Sequence, residues 1–326
     1  MTKKFYYGGQ AVVEGVMMRG PKTLAIAVRR PNGEVSVQTQ SLPTIYTGWL
    51  RKAPFIRGII FMIENLALGI KTLLYSANVS LEEEEEEISG KLAWLVVFIS
   101  VAFSVALFFL LPLFLTGLFK IESSILFNLV DGIIRVTIFV IYLAAMSLMP
   151  DIKRVFAYHG AEHKTVNAYE AGVPLEPEAI KGYGTAHVRC GTSFIFAVVI
   201  ISIIVFSFVG LHTVWLMVLS RIVLIPVIAG IGYEFIYFSG RHQDIILVRI
   251  TSAPGLWLQS LTTREPDEKQ IEVAMSALRR VIEIEQPEEV TWQTEPDDTL
   301  VVVGSEETNI PEETEPTEEK PDSSTG

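Results

Sequence analysis

Residues 92 to 119 read LAWLVVFISVAFSVALFFLLPLFLTGLF, 28 positions without a charge between Lys91 and Lys120. A helix needs about 20 apolar residues to cross the hydrocarbon of a bilayer, so this stretch predicts a transmembrane helix and sets the class of the whole chain. Working outward, a second span is expected over about 125 to 149, where only Asp131 and Arg135 interrupt the apolar run. A third is expected over 194 to 211 (FIFAVVIISIIVFSFVGL), and a fourth over about 213 to 238, with Arg221 and Glu234 as its charges. The expected fold is an α-helical multi-pass membrane protein of about four transmembrane helices, with a small cytoplasmic α+β module built from what lies between them.

Orientation follows from the basic residues. Residues 1 to 30 lack the positive, apolar and small-residue layout of a cleaved signal peptide, so the internal spans are expected to direct insertion. The segment before the first span carries Arg19, Lys22, Arg29, Arg30, Arg51, Lys52, Arg57 and Lys71. The loop after the second carries Lys153, Arg154, Lys164, Lys181 and Arg189, whereas the short connections at 120 to 124 and 211 to 213 hold one Lys between them. Lys and Arg accumulate on the cytoplasmic side, which places both termini and the 150 to 193 loop there. The net charge of −11 resides largely in the glutamate run 82 to 87 and in the tail after residue 286. These are solvated runs, and no nucleic-acid partner is expected. The bilayer is the expected partner; protein partners are left open.

Between the spans the sequence divides further. Residues 1 to 50 read as a β-rich unit: TLAIAVRR and EVSVQTQS flank Pro31-Asn32-Gly33, a turn in which Asn and Gly supply positive φ. Gly8, Gly9, Gly15 and Gly20 punctuate the short apolar runs before it. Residues 51 to 90 hold an amphipathic helix (55 to 76) with Arg57, Glu64 and Lys71 on one stripe, then the acidic linker. Such a helix either lies on the membrane surface, the reading the charge bias favours, or adds a fifth span. Spans one and two (91 to 149) lead to the cytoplasmic loop 150 to 193, where Asp151 is an expected helix N-cap and Gly172 with Pro174 a stop. Spans three and four (194 to 240) lead to the segment 241 to 285, expected to open with a strand-like IILVRI. It should end in an amphipathic helix capped by Asp267 that turns Ile271, Val273 or Ala274, Leu278 and Ile282 inward. Residues 286 to 326, rich in Glu, Pro, Thr and Ser, are expected to stay disordered.

The chemistry concentrates in the 150 to 193 loop. On a helix, residues four apart share a face, so His159 and His163 can offer both imidazoles to one ion, with Glu162 pointing nearly the same way. The order H-x-x-E-H is the inverted zinc-peptidase pattern, two ligands and a base. His187 and Cys190, the single cysteine of the chain, stand in the same loop and can supply further ligands. A divalent ion, zinc by this donor set, is the expected cofactor. Three protein ligands leave a position open for catalysis, four close the site into a structural staple; Glu162 as the catalytic base favours the first. The competing reading leaves the histidines solvent- or headgroup-facing and Cys190 a small buried hydrophobe. Glu170 lies too far along the helix to share the ion, and Glu234 is a remote candidate ligand. Asp131 and Arg135, four apart, are expected to pair.

Four blocks in order, GGQAVVEGVMMRGP (8 to 21), YHGAEHKTVNAYE (158 to 170), HVRCGTSF (187 to 194) and PGLWLQSLTTREP (254 to 266), resemble the YqhQ-like family of bacterial multi-pass membrane proteins, described as predicted metal-dependent enzymes of unknown function. The resemblance covers about residues 5 to 285. It implies a plasma-membrane location and leaves the substrate open. Three functions therefore stand beside one another: a metal-dependent hydrolase at the cytoplasmic membrane surface, a scaffold or regulatory membrane protein with a structural zinc, and a transporter using Asp131, Arg135 and Arg221.

Overall fold

The computed structural model describes residues 6–81, 90–209, 214–287 and 300–303. Four strands, β1 (Gly8–Val12), β2 (Gly15–Arg19), β3 (Thr23–Arg29) and β4 (Val35–Ser41), form an antiparallel meander. The β3–β4 hairpin turns at Gly33, which takes φ 92°, the region a side chain resists. The long helices are α1 (Ile56–Ser80), α2 (Trp94–Gly117), α3 (Ser124–Met146), α4 (Pro150–Glu170), α5 (Gly191–Ser207), α6 (Val214–Arg241), α7 (Ile246–Thr262) and α8 (Glu268–Glu285).

Period-2 alternation gives the sheet two buried faces. Val16, Met18, Ala25 and Ala27 pack with Tyr158 and Ala161 of α4 and with Ile271, Leu278 and Ile282 of α8. Met17, Leu24, Ile26 and Val28 point the other way, onto Leu68 and Val79 of α1. Helix α8 starts as expected: Asp267 accepts from Gln270 N–H at 2.8 Å and the Gln270 side chain accepts from Asp267 N–H at 3.0 Å, a complete capping box. The sheet is thus held between α1 and the α4/α8 pair.

Among the described residues, four helices are long and apolar enough to cross a membrane: α1, α2, α3 and α6. This set differs from the expected one. The third span appears as α5, a shorter helix of 17 residues. Helix α1 enters by composition, yet its charges do not form one solvated stripe. Glu64 is buried against Arg19 (2.6 Å), and Arg57 donates to Glu234 through Nε (2.7 Å) and Nη2. That ion pair also removes Glu234 from the candidate ligands.

Three further expectations are corrected. Asp151 is not the N-cap of α4: Met149 is, Pro150 occupies the first helical position, and Asp151 sits in the first turn, where a carboxylate favours the helix dipole. The stop is as read, with Gly172 at φ 76°. The IILVRI run lies inside helix α7, because the 3.6 period sustained over 246 to 262 buries Val248, Gly255, Leu258, Gln259 and Thr262 on one face and overrides the β preference of a short run. In the tail, Leu300–Val303 forms β5, parallel to β4 from Val35↔Leu300 to Gln38↔Val303. A β-branched LVVV run has found an open sheet edge; the rest of the tail, like the glutamate run, lies outside the described residues.

Among the apolar helices, Asp131 and Arg135 pair at 2.8 Å as expected, and Arg221 approaches the same carboxylate at 3.7 Å. Phe206 lies under both guanidiniums, 5.7 and 5.0 Å from its ring centroid.

Candidate functional site

Helix α4 delivers the H-x-x-E-H residues to the point where the end of α7 and the start of α5 converge. Gly160 makes the approach possible: a Cβ there would stand 2.0 Å from the Arg264 carbonyl oxygen. With only hydrogen in the way, Arg264 N–H bonds Phe156 O at 2.9 Å, and the Thr262 carbonyl comes within 2.8 Å of His159 Nδ1. His163 Nδ1 lies 2.5 Å from the Thr185 carbonyl. A carbonyl only accepts, so both Nδ1 atoms carry a proton, and in the neutral imidazoles both Nε2 atoms present a lone pair.

On His159 that nitrogen meets the thiol. Cys190 Sγ lies 3.2 Å from His159 Nε2, and ligand atoms of His159, His163 and Cys190 all fall within 4.8 Å of one another. Cys190 is the N-cap of α5, its sulphur accepting from Thr192 N–H at 3.4 Å, where the free N–H groups of a helix favour a negative ligand. Two imidazoles and a thiolate are a zinc donor set. Bonds of about 2.0–2.3 Å in tetrahedral geometry separate ligand atoms by roughly 3.3–3.8 Å, so atoms as far apart as 4.8 Å would close by about 1 Å around an ion. Donating Nδ1–H to backbone carbonyls is also how metal-ligating histidines are oriented.

Glu162 stands beside this group without joining it. Its Oε2 is 3.4 Å from His163 Nε2, while Oε1 accepts from Gly9 N–H at 2.9 Å. Gly9 itself lies so close to β2 that a Cβ would be 2.1 Å from Met17 O. The Gly-rich opening block thereby acquires a role: a strand edge that holds the carboxylate. The centre is largely buried, His163 at 1% exposure, Glu162 at 4% and Cys190 at 6%, with His159 half-buried.

His187 takes a different position. Its ring is 5.6 Å from that of His163, but its Nε2 lies 3.2 Å from Arg189 Nη2 and 3.8 Å from Glu170 Oε2. Burial works to raise Glu170; the nearby His187 ring and the charge of Arg189 outweigh it and hold the carboxyl below the usual range. The structure therefore brings together His159, His163 and Cys190, with Glu162 adjacent and His187 in a neighbouring Glu170–Arg189 group.

A family model described as a protein of unknown function (DUF1385) matches residues 53–284. The chain is also 36% identical over 299 residues to the uncharacterized protein YqhQ of Bacillus subtilis (strain 168), covering 86% of this chain and 93% of that one. The chain belongs to the YqhQ-like family. No solved structure matches it, and neither description names an activity.

In this YqhQ-like chain the residue that motif reading missed is Gln259. It is buried on α7, its Nε2 donating to His187 O and Ser193 Oγ (both 2.8 Å) and its Oε1 accepting from His187 N–H at 2.9 Å. These three bonds fix the strap that carries His187 and Cys190. The signal was present as a lone amide inside the apolar LWLQSL run.

Proposed function

We propose that the chain is a metal-dependent hydrolase of the plasma membrane, multi-pass with both termini cytoplasmic, its centre at the cytoplasmic membrane surface. The observation that carries the reading is the convergence of His159, His163 and Cys190 with both imidazole Nε2 atoms presented. Support for the bilayer as solvent comes from α2, where Trp94, Phe98, Phe103 and Phe114 are all exposed; apolar surface on that scale is unfavourable in water. Helix α1 then lies along the surface, since Leu68 and Val79 are committed to the sheet.

A divalent ion held by the three ligands would supply Lewis acidity and bring the pKa of a water to about 7. Glu162 is the base: its carboxylate is outside the ligand group yet beside His163, and the Gly9 N–H fixes its orientation. Thr262 and Thr185 carbonyls keep the protons of His159 and His163 at Nδ1. Burial of the centre favours a second reading, a structural zinc staple in which His187 completes a closed set.

Elemental analysis separates them. Purified wild-type protein should hold about one zinc per chain, lost in His163→Ala and Cys190→Ala, and retained in Glu162→Gln and His187→Ala. A metal-free wild type refutes the site. Loss of metal in His187→Ala favours the staple, and loss in Glu162→Gln makes that carboxylate a ligand.

A further inference from the structure

Away from the metal candidates, a cavity of about 520 Å³ opens between the end of α6 and α7, within the roughly 300–1,000 Å³ typical of ligand sites. Ile246, Arg249, Ala253 and Leu256 line it from α7 at spacings of three, four and three, one helical face. Ser239 and Gln243 line it from α6, and Val188 reaches in from the strap between His187 and Cys190.

The chemistry of this lining is specific. It is mostly apolar, with one guanidinium and, among its described residues, no carboxylate. Ser239 is 0% exposed and the Oγ of the half-buried Ser252 is also closed to solvent, which leaves Arg249 as the exposed charge of the lining. The exposed part of the lining is mostly apolar as well, with Ile246 and Ile250 open to solvent.

We propose that this cleft binds one anionic phospholipid, its headgroup phosphate on Arg249, its acyl chain against Val188, Ala253 and Leu256. The inference rests on the membrane part of the function proposed above and is independent of the metal. An anionic group answers a cation with no counter-charge among the described lining residues, and the apolar walls and mouth require an apolar body delivered along a lipid surface rather than a free ion.

The test is retention of added lipid by the full chain in neutral detergent, read by native mass spectrometry. Phosphatidylglycerol should be retained in preference to phosphatidylcholine, and inorganic phosphate in excess should not displace it. Arg249, being exposed, can be changed without disturbing the core: Arg249→Gln should reduce retention about tenfold. Ala253→Trp, which fills the cleft from its exposed side, should abolish retention, and Arg241→Gln, outside the lining, should leave it unchanged. Equal retention of the two lipids, displacement by phosphate, or wild-type retention in Arg249→Gln or Ala253→Trp overturns the proposal. A chain that stays monodisperse without detergent instead overturns the membrane reading beneath it.

Discussion

Replacing Gly160 with alanine tests whether close approach of α7 to α4 sets the candidate metal centre. The new Cβ would lie 2.0 Å from Arg264 O, where ordinary contact begins at 3.4 Å, so the carbonyl must withdraw by about 1.4 Å. Thr262, two residues upstream, would move with it, and a 2.8 Å bond to His159 Nδ1 lengthened on that scale is no longer a hydrogen bond. His159 would lose the contact that holds its proton at Nδ1. Loss of such an outer contact lowers metal affinity about 10- to 100-fold, or about 1.4–2.7 kcal/mol. Overpacking should also cost about 1–3 kcal/mol of stability. Helix propensity alone has the opposite sign, since alanine is better than glycine by about 1 kcal/mol inside a helix, so the two effects are separable. Zinc affinity measured by competition with a chromogenic chelator, alongside thermal unfolding followed by circular dichroism, reads both. A variant that binds zinc within threefold of wild type and melts at the same or a higher temperature would refute the reasoning.

Two further outcomes follow from the packing. Asp267→Ala removes the acceptor for Gln270 N–H in the capping box and should cost about 1 kcal/mol, seen as a lower unfolding midpoint with metal content unchanged. Asp131→Ala leaves Arg135 and Arg221 buried without their shared carboxylate and should cost about 3–5 kcal/mol. Arg135→Met should be milder, because Arg221 remains near Asp131. Unfolding in mixed micelles ranks the two, and equal costs would show that the carboxylate is not the centre of the group.

Particular elements show where sequence reading reaches and where it stops. The α8 helix was legible down to its cap and its inward residues, because capping and the 3.6 period act over a few positions. The β3–β4 hairpin was legible for the same reason, its turn announced by Asn32-Gly33. Short runs misled where a longer pattern contained them: IILVRI became helix. Charges misled where the partner was distant, since Glu234 is 177 positions from Arg57 and Glu64 is 45 from Arg19.

By itself the sequence determined the apolar helices, the sheet and the pair His159 and His163, because each depends on spacing within one element. Only tertiary structure decided that Cys190 and not His187 stands with that pair, that Gly9 holds Glu162, and that Thr262 and Thr185 orient the imidazoles. The physical reason is that these contacts depend on how closely separate segments approach. That distance is set by a missing Cβ at Gly160 and by the three bonds of Gln259, which have no period along the chain to be read.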